Sequence, residues 1–232
     1  MKNIVLIGGS YGIGLAIAKQ LQFENNVFIA SRSNENLADV KATYIPFDAS
    51  TDVLDTSKLP TVIDGLVYCP GNINLRPFKG IKPETFEADL QINFISLVKV
   101  IQSVLPNLLA SEQASIVTFS SVAASMGMPF HTSVSASKGA IEGFAKALAA
   151  EYAPKIRVNV IAPSLTDTPL ADKFLNNETK QEKSAERHPL KRFGKPEDSA
   201  QMTTFLLSDK SSWISGQIFH VDGGMSTLLV NG

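Results

Sequence analysis

The fold is decided by the stretch IVLIGGSYGIGLAIAKQL, residues 4–21. Its first four residues are large and apolar, which predicts a buried strand. Four glycines within the next seven residues predict a tight turn, and the run from Leu15 to Leu21 predicts a helix. A strand that enters a glycine turn and leaves it as a helix is typical of a parallel sheet with crossover helices.

The rest of the chain repeats this alternation of short apolar runs and longer helical segments. Apolar residues at three- and four-residue steps predict a helix from Pro83 to Leu105, and a second, alanine-rich helix is predicted from Ser135 to Ala153. The predicted class is α/β: a doubly wound parallel sheet of the Rossmann type, with about seven strands and helices on both faces. We expect residues 1–232 to form one dinucleotide-binding domain. The predicted strands are Ile4–Ile7, Val27–Ala30, Tyr44–Pro46, Gly65–Cys69, Ser115–Phe119, Arg157–Ile161 and Ile218–Val221.

Two parts of the chain depart from regular alternation. The connections Ser31–Thr43 and Asp48–Asp64 are short and polar, so their helices are predicted to be stunted or irregular. Residues 168–198, charged from Asp172 onward, contain Asn and Pro residues that interrupt any long helix. We interpret this segment as a mobile flap or a solvated excursion near the substrate.

Composition excludes several classes of function. The chain has 21 basic and 22 acidic residues, and no like-charge run is long enough to predict nucleic-acid binding. The single cysteine, Cys69, cannot form an internal disulfide and has no metal-ligand spacing around it, so we predict no metal. Without a signal-peptide or membrane-spanning apolar run, we expect a cytoplasmic protein that contacts no membrane.

The glycine turn predicts a phosphate site. Glycine permits the sharp turn and lets backbone N–H groups approach a pyrophosphate, which then faces the positive end of the helix. A plain turn is the alternative, but the flanking strand and helix favour phosphate binding. The residues expected to hold the phosphates are Gly8, Ser10, Tyr11, Gly12, Ile13 and Gly14.

The end of the second strand predicts which dinucleotide binds. A carboxylate there accepts from a ribose 2'-hydroxyl, whereas a guanidinium attracts a 2'-phosphate. Ser31 and Arg32 occupy this place and no acid precedes Glu35, so NADP(H) is favoured over NAD(H), although such an Arg is often only a surface residue. Asp48, followed by Ala49, either accepts from the adenine amino group or caps the following short helix.

Further motifs follow the glycine turn in a fixed order along the chain: Gln91–Phe94, Ile116–Ser121, Ala136–Ala140, Arg157–Pro163 with Thr166–Thr168, Arg192–Asp198, Ser215–Gly216 and Val221–Gly224. In this order, these motifs resemble the short-chain dehydrogenase/reductase family over essentially the whole chain. The resemblance implies that Ser121 orients the substrate oxygen, Lys138 holds the nicotinamide ribose, and Asn93 supports a water link to that lysine. It also implies cofactor contacts at Gly71, Pro163, Ser164, Thr166 and Thr168.

Three departures from the family pattern stand out. Ile7 replaces the threonine before the glycines, and Tyr68–Gly71 replaces Asn-Asn-Ala-Gly, which removes amides that brace the cofactor pocket. The family's tyrosine should lie 13 residues after Ser121, where this chain has Val134. A valine cannot exchange a proton, and the loss of a positioned general acid costs on the order of 100- to 10,000-fold in rate.

Other side chains could supply the proton. His131, in the loop before Lys138, is the first candidate, although a lone loop histidine is more often solvated. Ser133 and Ser135 flank the valine and either hold a relaying water or cap the helix. We expect Tyr68 to point into packing, Tyr11 to cover the adenosine ribose, and Tyr152 to lie too far along its helix. His188 and His220 lie in the flap and the last predicted strand, with no ligand partner at metal spacing.

We therefore predict an NADP(H)-dependent oxidoreductase of the carbonyl reductase or alcohol dehydrogenase type, acting on a small carbonyl or alcohol. The alternative is an NADP(H)-binding pseudoenzyme or assembly partner without turnover. A hydrolase using Ser121 is not supported, because no Gly-x-Ser-x-Gly surrounds it. The resemblance implies a homodimer or homotetramer built on the two long helices, although burial within one subunit explains their apolar faces equally well. Five apolar residues either line the substrate pocket or belong to the core: Met126, Met128, Phe130, Leu170 and Phe174.

Overall fold

A seven-stranded parallel sheet forms the centre of the computed structural model, which describes residues 1–230. The strand order is β3-β2-β1-β4-β5-β6-β7, which reverses direction between β1 and β4 and confirms the doubly wound topology. Every predicted strand is present, with ends within two residues of those expected. The strands are β1 Lys2–Ile7, β2 Asn25–Ser31, β3 Thr43–Pro46, β4 Gly65–Tyr68, β5 Ala114–Phe119, β6 Ile156–Pro163 and β7 Ile218–Val221.

Helices connect the strands and cover both faces of the sheet. The connection after β2 has no helix within residues 32–42, and the connection after β3 has only the 3-10 turn Thr56–Lys58, as predicted for these two segments. The helices are α1 Gly12–Leu21, α2 Pro83–Leu90, α3 Ser96–Leu109, α4 Thr132–Tyr152, α5 Asp172–Leu175, α6 Glu178–Glu186 and α7 Pro196–Leu207.

The long helix predicted from Pro83 is interrupted by a π-helical turn, Gln91–Ile95, between α2 and α3. Prediction of one regular helix was therefore wrong at this point. The Tyr68 hydroxyl donates to the Ile92 carbonyl at 2.7 Å, within the wider turn. Such turns frequently occur at functional sites, and this one buries Asn93 completely.

By length and composition the helical stretch Pro83–Leu109 could cross a membrane. However, the core helix of a sheet protein passes the same test, and α3 buries Leu97, Val104 and Leu108 in the core. Its apolar character is therefore explained by packing on the sheet.

Alternate residues of β1 face two different cores. Val5 and Ile7 pack in the core beneath α3 and α4, whereas Ile4 and Leu6 pack in the core beneath α1 and α7. With both faces covered, strands of this kind are apolar along their whole length. The carboxyl ends of the strands are where sheets of this type bind ligands.

Candidate functional site

The turn after β1 has the geometry of a phosphate loop. Gly8 and Gly12 have φ of +80° and +51°, a left-handed conformation that glycine adopts without strain. A Cβ on Gly14 would overlap the Gly8 carbonyl oxygen, so the helix start can approach the strand only with glycine there. No side chain caps α1, and its first turn has no acidic residue. These features fit the diphosphate of a dinucleotide.

At the outer edge of this loop, Tyr11 is tied to the loop after β2. Its hydroxyl donates to Glu35 Oε2 at 2.9 Å and accepts from Ser33 Oγ at 3.3 Å. The Ser31 hydroxyl donates to the Ser33 carbonyl at 2.9 Å. Glu35, the first acid after β2, is thus engaged by Tyr11. Arg32 is exposed, and its charge helps to lower the pKa of Asp48 at the end of β3.

Asp48 forms a tight turn after β3. Its Oδ1 accepts from the backbone N–H of Ser50 at 2.9 Å and from the Ser50 hydroxyl at 2.6 Å. These hydrogen bonds lower the pKa of Asp48 below its usual value. Asp48 therefore forms a turn and does not cap a helix as expected, because the next helical turn begins at Thr56 and is capped by Asp55. Its contact with adenine stays a prediction. Ala49 is buried in the core beside it.

A cavity of about 450 Å³ opens at the carboxyl ends of β4, β5 and β6, and Ser121, Val134 and Lys138 all line it. Ser121 precedes the 3-10 turn Val122–Ala124, and its Oγ accepts from the Ala123 N–H at 3.2 Å. Because the oxygen accepts here, its proton remains available to a substrate oxygen.

Lys138 is buried and holds its ammonium against the end of β5. Nζ donates to the Phe119 carbonyl at 3.0 Å. Burial lowers the pKa of Lys138 to about 8, opposed by the nearby Cys69, whose own pKa burial raises to about 12. Val134 lies one turn earlier on α4 and is 4% exposed. One helical turn after Val134, this wall of the cavity therefore contains an amine whose pKa is about 8.

Asn93 presents one unpaired oxygen to this region. Its amide nitrogen donates to Asn72 Oδ1 at 2.7 Å and to the Asp89 carbonyl at 2.8 Å. Oδ1 is buried and has no hydrogen-bond partner within residues 1–230. A Cβ built on Gly71 would lie 2.8 Å from this oxygen and 3.2 Å from Lys138 Nζ. The two polar atoms therefore border one space, which suits a bridging water.

A buried carboxylate, Asp89, organises this wall, and the sequence analysis did not identify it. It is fully buried and accepts from Asn72 Nδ2 at 2.6 Å, Asn74 Nδ2 at 2.6 Å and Ser133 Oγ at 2.5 Å. The bracing amides that seemed to be missing therefore come from Asn72 and Asn74, just beyond the replaced motif. The available signal was an acidic residue four positions before Asn93, which places both on one helical face.

The alternative proton donors are largely committed elsewhere. Ser133 donates to Asp89 and lies inside α4, which begins at Thr132, so it does not cap this helix. Its role in holding a relaying water stays a prediction. Tyr68 donates to a backbone carbonyl, and burial raises its pKa well above the usual value. His131 lines the cavity, and its Nδ1 must donate to the Pro129 carbonyl at 2.7 Å, because a carbonyl only accepts. A neutral His131 thus offers Nε2 only as an acceptor.

The segment after β6 forms the opposite wall. Pro163, Ser164, Thr166 and Thr168 all line the cavity, as does Ile13 from the phosphate loop. Three of the five apolar candidates line it too, namely Met128, Leu170 and Phe174. Met126 and Phe130 do not line it, and Phe130 is exposed, with φ of +70°. No cluster of three metal-ligand side chains occurs among the residues described.

The fold and the site define a nucleotide-binding sheet protein with a largely apolar cavity at its carboxyl edge, into which a few polar groups are placed. The model of the family described as "Enoyl-(Acyl carrier protein) reductase" matches residues 8–226. The chain therefore belongs to the short-chain dehydrogenase/reductase family, whose members are NAD(P)-dependent oxidoreductases.

Similar proteins differ in the reactions that their names give. The chain is 33% identical to 3-oxoacyl-(acyl-carrier-protein) reductase FabG of Thermotoga maritima, over 97% of both chains. It superposes on the aldohexose dehydrogenase of Thermoplasma acidophilum with a TM-score of 0.89 and 27% identity, covering 100% of this chain and 96% of the other. A 4-hydroxyisoleucine dehydrogenase complexed with NADH gives a TM-score of 0.89 and 26% identity, with 99% and 100% covered.

Proposed function

We propose that this protein is an NADP(H)-dependent oxidoreductase that interconverts a small carbonyl compound and its alcohol. The observation that carries the proposal is that Ser121 and Lys138 line one cavity, next to a phosphate loop that requires glycines. The Asn93 oxygen lies behind Gly71, at the same space as the Lys138 ammonium. When bound, a nicotinamide cofactor supplies or accepts the hydride.

In this proposal Ser121 binds the substrate oxygen. Its hydroxyl proton is available because Oγ already accepts from the Ala123 N–H. Lys138 holds the nicotinamide ribose, and the unpaired Asn93 oxygen orients a water beside it. Asp89 keeps the Asn93 amide in this orientation by holding Asn72.

We propose that Val134 occupies the position where the family has its tyrosine. Lys138 then supplies the proton that the tyrosine would have supplied. A valine is smaller than a tyrosine, so the cavity gains room for a water between Ser121 and Lys138. A lysine with a pKa of about 8 is a better acid than an ordinary lysine at neutral pH. His131 is the second candidate, since it donates from Nε2 only when protonated.

The preference for NADP(H) is supported by Arg32. This guanidinium lies at the end of β2, while the neighbouring carboxylate of Glu35 is bound by Tyr11. A guanidinium attracts a 2'-phosphate, and the Glu35 carboxylate already binds the Tyr11 hydroxyl. We also retain a cytoplasmic location and a homodimer or homotetramer as part of the proposal.

The competing proposal is a nucleotide-holding pseudoenzyme or assembly partner. A single observation favours it: Val134 is apolar and nearly buried one helical turn before Lys138, so no side-chain hydroxyl stands at that place. Cofactor binding would survive this change, because the phosphate loop lies on other elements.

The test separates binding from turnover. NADPH and NADH are titrated by fluorescence, and NADPH oxidation is then followed against ketones, aldehydes and quinones. We expect tight NADPH binding and turnover that Ser121→Ala abolishes. Tight binding without turnover on any substrate would instead support the pseudoenzyme.

A further inference from the structure

The cavity is lined by positive charge without any compensating carboxylate. Among the residues described, its lining includes no Asp or Glu, yet it includes five cationic side chains: Lys138, Lys173, Lys180, Lys183 and Arg187. Four of them come from the flap. Uncompensated charge at a partly enclosed site favours a ligand of the opposite sign.

One face of α6 concentrates these groups. Lys180, Lys183, Ser184 and Arg187 follow one another at helical spacing, so they lie on the same side of the helix. The Lys180 ammonium already donates to the Lys173 carbonyl and to Asn176 Oδ1. Lys183 and Arg187 make no side-chain hydrogen bond or ion pair within residues 1–230, although both line the cavity.

Ser184 supplies a second, independent sign of a ligand. It is 7% exposed, lines the cavity, and its hydroxyl has no hydrogen-bond partner among the described residues. A buried polar group without a partner is costly, and it persists where a ligand or water completes it.

Two hydrogen bonds of His188 hold the segment that carries the Ser184 hydroxyl in place. His188 Nδ1 donates to the Ser184 carbonyl at 2.7 Å, and Nε2 accepts from the Ser164 hydroxyl at 2.9 Å. The end of α6 is thereby attached to the loop after β6, so Ser184 is held at the cavity. Rigid support of this kind is what a specific binding site requires.

We propose that Ser184, Lys183 and Arg187 bind an anionic group of the substrate, remote from the carbon that reacts at Ser121. The substrate is then a carbonyl compound, or its alcohol, that carries a carboxylate or a phosphate. This inference rests on the proposed function for the reacting end alone. Charge-assisted hydrogen bonds from an ammonium, a guanidinium and a hydroxyl suit both anions.

The experiment measures binding as well as turnover. Protein saturated with NADP+ is titrated by calorimetry with a series of 2-oxo to 6-oxo carboxylic acids and with their methyl esters. A second arm compares dihydroxyacetone phosphate with dihydroxyacetone, which separates phosphate from carboxylate recognition. We expect at least one anion to bind about tenfold or more tightly than its neutral partner, and high salt to reduce this difference.

Variants locate the site. Lys183→Gln and Arg187→Gln should each reduce anion affinity and leave ester affinity and NADP+ affinity unchanged. Lys191→Gln is the matched control, because it removes one exposed flap charge that does not line the cavity. An equal loss in the control would assign the effect to the general field of the flap and overturn the proposal.

Ser184→Ala distinguishes a binding role from a structural one. Since the hydroxyl has no partner within the described chain, its removal should leave the unfolding midpoint unchanged or higher, while anion affinity falls severalfold. If no anion binds more tightly than its ester, the inference is wrong. If anions are preferred but none is turned over, the inference stands and the proposed function fails.

Discussion

The two ends of the cleft along the sheet edge follow the family pattern to different degrees. At the nucleotide end, Gly8, Gly12 and Gly14 have the conformations and close contacts that a phosphate loop needs. At the reacting end, the wall contains Val134 and a substitute amide network around Asp89. Cofactor binding depends on backbone geometry that few residues allow, whereas proton transfer depends on side chains that others can replace. Binding and chemistry can therefore change independently.

Val134→Tyr is the most direct test of this difference between the two ends of the cleft. If the reacting end is defective only at this residue, a phenol one turn before Lys138 should raise carbonyl reduction by about 100- to 10,000-fold. Steady-state NADPH oxidation measures the effect. Val134→Phe adds the ring without the hydroxyl and should give no gain. A folded, NADPH-binding Val134→Tyr protein that is no faster would refute our placement of the position.

Gly14→Val tests the nucleotide end. The new side chain would collide with the Gly8 backbone, so NADPH affinity should fall by about 100-fold or more, to a Kd near or above ~1 mM. Gly143→Ala is the control, because nothing lies within 4 Å of a Cβ there. It should bind NADPH normally and gain roughly 0.5–1 kcal/mol in stability, since glycine disfavours helix interiors. Unimpaired binding by a folded Gly14→Val would exclude this loop as the phosphate site.

Arg32→Ala tests whether Arg32 determines the preference for NADPH over NADH. Loss of a charge-assisted contact with a 2'-phosphate should weaken NADPH by roughly 10- to 100-fold and leave NADH within about twofold. Fluorescence titration of both cofactors measures the ratio. Lys41→Ala removes another exposed cation before β3 and should change neither affinity. Equal weakening of both cofactors by Arg32→Ala would argue against 2'-phosphate recognition.

The buried ammonium of Lys138 should make the stability of the protein depend on pH. The pKa of Lys138 is about 8 in the folded protein and near 10.5 when unfolded, so the unfolded chain binds more protons between these values. Stability should rise with pH above 8, by at most a few kcal/mol. Above pH 9 the raised pKa of Cys69 has the opposite effect, because the folded state then holds more protons.

Denaturant unfolding of the protein and of Lys138→Met between pH 7 and 9 measures this contribution. The free energies of unfolding of these two proteins should differ most at pH 7, and the difference should narrow toward pH 9. The reason is that Lys138 loses its charge at a lower pH in the folded state than in the unfolded chain. A difference in unfolding free energy that does not change with pH would mean that the pKa of Lys138 is not lowered in the folded protein. The same titration predicts that the rate of carbonyl reduction falls above pH 8 if Lys138 supplies the proton.

Much of the fold was predictable because local patterns agree with the tertiary structure. All seven strands were predicted, since a sheet covered on both faces requires continuous apolar runs. The π-turn at Gln91–Ile95 was not predicted, because its apolar residues keep a helical spacing and the wider turn depends on contacts such as that of Tyr68. Ser121 and Lys138, which their motifs singled out, line one cavity, and their catalytic roles stay predictions. The flap's Ser184 carried no local signal.

By itself the sequence determined the sheet, the glycine loop and the order of the motif residues, because these follow from apolar periodicity and from conformations that only glycine adopts freely. The tertiary structure alone decided which polar atoms meet: Asp89 with three donors, the Asn93 oxygen beside Lys138, and a flap face of uncompensated charge. These contacts join residues far apart in the chain, and hydrogen bonding depends on distance and direction, which spacing along a sequence does not encode.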